Sequence, residues 1–270
     1  MKQNKMDYKK LSSADKALFD SDGYVLIKGM LNAEEVKKLY AIAINDEVIN
    51  TKSFDRGDAN GLRTKLALWY SLGEDVYSLL ARSERIVEGV RLLLDGEPAH
   101  FHSKLMQKEP KVGGAWEWHQ DYGYWYRDGF LYPQMLSVLT ALSPSTKENG
   151  CLQVLKGSHS AGRIEHGFSG EQVGANQERV DELLKNLELV FVEMEAGDTL
   201  FFHSNTLHRS DANLSDAPRW SLISAYNLIT NKPYKGNYPS ASETINVVND
   251  QTLLNSKNEG IQEDAKFLVK

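Results

Sequence analysis

Apolar residues recur along this chain with two different periods, and the change from one to the other comes near residue 98. Up to that point the spacing is mostly helical. Val36, Leu39, Ile42 and Ile44 follow Asn32 and Glu35, a capping-box-like start, and predict a helix over 33–47. Further helices are expected at about 14–19, 73–82 and 84–94, the last carrying Ile86, Val90, Leu93 and Leu94. One early strand is expected over 23–29, where a β-rich run from Tyr24 to Ile27 is bracketed by glycines. The turn-rich stretch 48–62 reads as a loop. From His100 onward short apolar or alternating runs take over, at 100–107, 115–122, 134–142, 151–155, 188–194, 198–203 and 219–228. Turn signals such as Lys111-Val112-Gly113-Gly114, Asn149-Gly150 and Ala196-Gly197-Asp198 separate several of them. Many short strands with glycine turns predict a sandwich or barrel.

The expected fold class is therefore mainly β with flanking helices. One domain is expected over 1–270, with a helical N-terminal part to about 98 and a β core over about 99–230. Residues 160–187 interrupt the strands with a polar insert ending in a helix-like stretch, Glu178–Leu187. An insert of that length in a β domain is expected to be a lid or binding loop. The polar tail, 231–270, shows no clear pattern, and no internal repeat or linker is visible.

Composition narrows the function. The chain has 270 residues, 41% of them hydrophobic and 25% charged, as in ordinary globular proteins. A net charge of −6 argues against nucleic acid as a partner, since that needs a basic stripe. No apolar run approaches a membrane span. The opening Met1-Lys2-Gln3-Asn4-Lys5-Met6 is not followed by an apolar segment, so no signal peptide is visible. The single cysteine, Cys151, has no partner for an intrachain disulfide, which fits a reducing compartment. A cytoplasmic protein is expected, and nothing in the sequence signals an oligomeric state.

The candidate chemistry centres on Trp118-His119-Gln120-Asp121-Tyr122. In a strand, side chains at i and i+2 share a face, so His119 and Asp121 would project together. An imidazole and a carboxylate are two thirds of the 2-His-1-carboxylate triad that holds Fe(II) with positions left open. A distal histidine completes it. Of seven histidines, His203 and His208 are the contenders, and His208 is favoured because Arg219 follows eleven residues later. The remaining four, His100, His102, His159 and His166, read as surface or structural. A buried Arg219 would grip a carboxylate through its planar fork, better than Lys does. Ser210 shares a strand face with His208 and can donate to the same carboxylate. A dicarboxylic cosubstrate would chelate iron at one end and meet Arg219 at the other.

Several stretches together resemble the phytanoyl-CoA dioxygenase superfamily of Fe(II)/2-oxoglutarate oxygenases. They are Asp22-Gly23-Tyr24-Val25, Trp118-His119-Gln120-Asp121, Asn149-Gly150-Cys151-Leu152, Gly157-Ser158-His159, and His208 with Ser210 and Arg219. The run through Trp125, then Asp128-Gly129, and Asn205-Thr206-Leu207-His208 is similar to the branch of ectoine hydroxylases and bacterial proline 4-hydroxylases. The resemblance implies a double-stranded β-helix, or cupin-like jelly roll, with Fe(II) on His119, Asp121 and His208. It implies 2-oxoglutarate on Arg219, Ser210 and Lys104, O2 as co-reactant, and the substrate against Trp125, Tyr124 and Gln107. Leu105 and Gln107 stand where ectoine hydroxylases carry Arg and Asn, and Phe130-Leu131-Tyr132 lengthens the chain there. A substrate other than ectoine itself is expected.

The expected activity is hydroxylation of a small polar, cationic or zwitterionic molecule, with release of succinate and CO2. A halogenase on the same fold would replace the carboxylate ligand by a small residue, and Asp121 argues against it. Two other readings stand beside it. One is a non-enzymatic cupin-like protein holding a metal or small ligand. The other is a hydroxylase of a neutral hydrophobic metabolite, with the aromatic cluster as plain packing.

Overall fold

The capping box at Asn32 forms as its sequence demands. Asn32 Oδ1 accepts from the Glu34 and Glu35 backbone N–H groups, and Glu35 Oε2 accepts from the Asn32 N–H. In the computed structural model, which describes residues 8–58, 60–169, 171–257 and 259–268, this cap starts helix α2 (Ala33–Asn45). The other helices are α1 (Ser13–Asp22), α3 (Glu47–Lys52), α4 (Val76–Ala81), α5 (Glu84–Leu94), α6 (Asp121–Asp128), α7 (Gln177–Asn186) and α8 (Thr252–Asn255). Glu35 is fully buried and meets Arg85 of α5 at 2.6 Å, a paired charge that ties the two helices together.

The strands are β1 (Tyr24–Ile27), β2 (Phe54–Gly57), β3 (Arg63–Trp69), β4 (Pro98–Lys108), β5 (Trp116–His119), β6 (Met135–Ala141) and β7 (Leu152–Leu155). They continue with β8 (His166–Ser169), β9 (Gln172–Ala175), β10 (Leu189–Val192), β11 (Thr199–His203), β12 (His208–Ser210) and β13 (Arg219–Leu228). A seven-stranded sheet runs β1-β11-β6-β13-β4-β3-β2 and a four-stranded sheet runs β10-β7-β12-β5. The paired strands in both are antiparallel. Together they form the double-stranded β-helix.

Strand alternation assigns each face its layer. On β4 and β13, Leu105, Trp220 and Leu222 turn toward the helices and pack with Leu39, Val87 and Val90. Met106 and Ile223 turn the other way, where they pack with Leu152 and Val154 of the small sheet. The interior between the sheets is thus a separate apolar layer, and the site is built at its edge.

Some expectations need correction. The stretch 48–62 is not a loop: it supplies α3 and β2, and β2 pairs with β3. The strand expected over 115–122 ends at His119, because Asp121 starts α6 with Gly129 as its left-handed cap at φ 107°. The insert 160–187 holds a β8–β9 hairpin before α7. Residues before 98 contribute β1, β2 and β3 to the large sheet as well as helices. No helix among the described residues is long and apolar enough to cross a membrane. The opening segment read for a signal peptide lies outside the described residues.

Candidate active site

β5 and β12 are neighbours in the small sheet, with His208 opposite His119 in the register. Their imidazole centroids stand 4.0 Å apart. Gln120, in extended conformation before α6, turns the chain so that Asp121 joins them. One ligand atom from each of His119, Asp121 and His208 lies within 4.8 Å of the others, and all three residues are buried. The pair reaches one point by a strand end and a helix start, not by the strand alternation expected for it.

The surroundings orient each ligand. His119 Nδ1 donates to the Glu117 carbonyl at 2.7 Å, and His208 Nδ1 donates to the Thr206 carbonyl at 2.9 Å. Both Nε2 lone pairs are left facing Asp121 Oδ1, at 4.0 and 3.9 Å. Ser137 on β6 donates to the other carboxylate oxygen, Oδ2, at 2.5 Å. Such outer bonds set tautomer and angle in metal sites. Burial pushes both imidazoles below their usual range, keeping them in the neutral form that binds metal. Burial opposes ionisation of Asp121, but Lys104, His208 and the Ser137 hydroxyl outweigh it and hold the carboxyl below its usual value. Two neutral imidazoles and a carboxylate suit a divalent iron.

His203, the rival distal ligand, lies at the end of β11 beside the rings of Phe19 and His159, at 6.1 and 5.5 Å. It is not among the converging atoms.

A second polar group lies between the sheets. Ser210 follows His208 on β12 and accepts from Lys108 Nζ at 2.8 Å. Lys108 is the register partner of Arg219. Arg219 is buried; one of its terminal nitrogens donates to the Gly150 carbonyl, and its Nε has no partner among the described residues. Burial lowers the Arg219 pKa to about 10.

A cavity of about 380 Å³ opens beside the ligands. Lys104, Trp125 and Tyr124 line it, as does His102. Trp125 packs edge-on against Phe101 and His102. Tyr124 donates to the Val173 carbonyl of β9 at 2.5 Å, which ties α6 to the insert. Gln107 does not line the cavity. It sits on the other face of β4 from Lys104 and Met106, as does Leu105, so the substrate role expected for Gln107 is withdrawn. The hairpin of the insert supplies Phe168, Glu171 and Gln172 to the wall.

Sequence reasoning missed several residues. The amide of Gln120 is fully used by backbone. Nε2 donates to the Gly162 and Asn205 carbonyls and Oε1 accepts from the Ile164 N–H, which ties the insert to the approach of β12. His166, read as surface or structural, accepts from the Gln120 N–H at 2.9 Å. A Cβ on Gly123 would come within 2.3 Å of that ring, so the glycine in Asp121-Tyr122-Gly123-Tyr124 is a packing requirement. His102 and Lys108 carried no local signal beyond their strand face.

Comparison with known proteins agrees with this geometry. A model of the family described as phytanoyl-CoA dioxygenase (PhyH) matches residues 19–221. An L-proline trans-4-hydroxylase from Streptomyces griseoviridis is 32% identical over 177 residues, 59% of this chain and 66% of that protein. An ectoine dioxygenase from Halomonas elongata is 26% identical over 239 residues, 82% of this chain and 71% of that protein. Among solved structures, EctD from S. alaskensis with bound Fe superposes with a TM-score of 0.73 over 91% of each chain at 23% identity, which speaks for the fold. The epimerase SnoN, in complex with Fe3+, alpha ketoglutarate and nogalamycin RO, gives a TM-score of 0.67 at 26% identity, covering 81% of this chain and 84% of that one.

Proposed function

The chain belongs to the phytanoyl-CoA dioxygenase family, and from that premise we propose that it is an Fe(II)- and 2-oxoglutarate-dependent dioxygenase. It hydroxylates a small polar or zwitterionic metabolite and releases succinate and CO2. His119, Asp121 and His208 hold the iron; Arg219, Ser210 and Lys104 bind 2-oxoglutarate; Trp125 and Tyr124 face the substrate. The observation that carries this reading is the set of three ligand atoms within 4.8 Å, with His119 and Asp121 lining a cavity of about 380 Å³. The relatives named for proline and ectoine act, by those names, on small polar molecules.

Iron bound there with 2-oxoglutarate and O2 supplies the oxidant for hydroxylation. The protein's own part is orientation and exclusion of water. The Glu117 and Thr206 carbonyls and Ser137 fix the ligand atoms. The aromatic wall formed by Trp125 and Tyr124 covers an apolar body and offers π faces to a cation, each such contact contributing about 0.5–2 kcal/mol. The β8–β9 hairpin covers the cavity from the insert side. A net charge of −6 offers no general attraction to coenzyme A phosphates or to nucleic acid, and we place the protein in the cytoplasm with neither nucleic acid nor membrane as partner.

The test is substrate-stimulated succinate release, with metal analysis, across amino acids, betaines, acyl-CoAs and neutral apolar compounds. Coupled product from the first two groups is expected. Turnover confined to acyl-CoAs or neutral apolar compounds overturns the substrate class, and absence of any keto-acid turnover favours the binding-protein alternative.

A further inference from the structure

Helix α6 carries two aspartates, and only one of them belongs to the converging triad. Asp121 opens the helix and Asp128 closes it. Positions i, i+4 and i+7 share one face of a helix, so Asp121, Trp125 and Asp128 lie in a row. All three line the cavity of about 380 Å³. At 1.5 Å per residue, Asp128 stands about 10 Å along the helix axis from Asp121, close to two turns.

The Asp128 carboxylate is poorly supported where it sits. It accepts from the Tyr238 hydroxyl at a long 3.4 Å, and no ion pair reaches it among the described residues. Arg127, next to it in the chain, donates instead to the His166 carbonyl, and Lys235 Nζ lies over the ring of Tyr234 at 5.5 Å. Burial pushes the carboxyl above its usual range, and the Tyr238 hydroxyl and the charge of Lys235 offset only part of that. A carboxylate in the last turn of a helix is also opposed by the helix dipole. A charge set in a cavity wall with so little support is stabilised by a cation that enters.

The rings beside it suit the same visitor. Tyr70, Phe101 and Trp125 line the cavity with Asp128. Trp125 stands edge-on to Phe101 at 5.9 Å, and Tyr238, whose hydroxyl reaches Asp128, lies 5.2 Å from both Tyr70 and Phe101. Edge-on packing leaves ring faces uncovered, and those faces attract cations. A bulge builds this wall. The register of β4 with β13 shifts between Ala225 and Tyr226, so Phe101 and His102 both reach the cavity although they are adjacent in the chain.

We propose that Asp128, with Trp125 and Tyr70, is the subsite for a positively charged nitrogen of the substrate. The inference rests on the oxygenase reading given above and narrows its substrate to a compact molecule carrying a protonated or quaternary nitrogen. Because Asp128 is two helical turns from Asp121, that nitrogen and the carbon presented beside the triad are several bonds apart. Asp128 is thus a specificity-determining residue that sets which carbon is presented.

The experiment uses full-length protein loaded with Mn(II) and 2-oxoglutarate, so that no turnover occurs. Calorimetric titration compares small cations with neutral counterparts of similar size: choline with 3,3-dimethylbutan-1-ol, and protonated pyrrolidine with cyclopentanol. Wild type, Asp128→Asn and Tyr238→Phe are measured. In wild type at least one cation is expected to bind about tenfold or more tighter than its counterpart. Asp128→Asn should erase that preference, with the affinities for the neutral compound and for 2-oxoglutarate unchanged. Tyr238→Phe keeps the charge and should keep the preference. No preference in wild type, a preference that survives Asp128→Asn, or equal weakening of both members of a pair overturns the proposal. So does a loss in Tyr238→Phe as large as in Asp128→Asn, since the contact between the two is then a structural tie. If Asp128→Asn does not fold, Asp128→Ser takes its place, and failure of both to fold also overturns it. Wild-type protein that binds neither Mn(II) nor 2-oxoglutarate sinks the oxygenase reading itself, a separate outcome.

Discussion

The two polar groups inside this β-helix are opposites. In one, His119, Asp121 and His208 present lone pairs and a negative charge, and His119 and Asp121 line the cavity. In the other, Lys108, Arg219, Ser210 and Ser221 present N–H and O–H hydrogens together with the guanidinium of Arg219. Arg219 and Ser221 there border no more than a small void lined by apolar residues such as Leu139 and Leu152. The first group is short of a cation and the second of an anion. Each would be costly to bury alone. A molecule that carries an electron-rich chelating end and a distant carboxylate answers both, which is why the pair points to a keto dicarboxylate where either group alone does not.

The largest effect that tests this contrast is at the first group. Asp121→Ala is expected to reduce iron content to background and to abolish succinate formation, whereas His203→Ala keeps both. Elemental analysis of the purified variants decides it; iron retained by the first and lost by the second reverses the assignment of the ligands. Next comes the second group. A hydrogen bond to a charged partner contributes about 1.5–3 kcal/mol, so Arg219→Ala should weaken 2-oxoglutarate roughly ten- to a hundredfold with iron content intact. An unchanged dissociation constant removes Arg219 from the cosubstrate site.

Smaller effects sharpen the picture. Ser137→Ala frees Asp121 Oδ2, and metal affinity should fall about tenfold, the lower end for outer partners of a metal site. Competition with a chelator measures it, and 2-oxoglutarate affinity of the fully loaded variant should stay as in wild type. Loss confined to 2-oxoglutarate instead would mean that the two groups are not separable. The smallest change is Tyr124→Phe, which removes the bond to the Val173 carbonyl that links α6 to the hairpin. At about 1 kcal/mol for a neutral hydrogen bond, the substrate KM should rise by roughly fivefold with kcat little altered. A fall in kcat alone would show that the hairpin contact serves chemistry rather than enclosure.

Much of this was legible beforehand, for identifiable reasons. Helix α2 was announced by Asn32 and Glu35, because a cap is a local device of four residues. Most strands from β4 to β13 were announced by short apolar runs between glycine turns. The second hairpin strand β3 was missed although Arg63–Trp69 alternates, because the turn-rich stretch before it hid its partner β2. Helix α6 was missed because its aromatic residues read equally as strand, and Gly129 was the stop signal overlooked. Gln107 was placed in the substrate site although it lies one residue out of phase with Lys104 and Met106, and one residue is all that separates the two faces of a strand.

By itself the sequence determined the inventory: an imidazole next but one to a carboxylate, a distal histidine, a serine and an arginine at strand spacing, and a chain of alternating periods to carry them. These are local facts, set by residue type and spacing. Which histidine converges with His119 and Asp121 was decided by the tertiary structure, because His208 acquires its place from pairing with His119 across β12 and β5, while His203 ends a strand of the other sheet beside Phe19. The same holds for Lys108, whose meaning comes entirely from burial beside Arg219 and contact with Ser210 across the two sheets. Such an environment is made by neighbours distant in the chain, and only the closed β-helix brings those neighbours together.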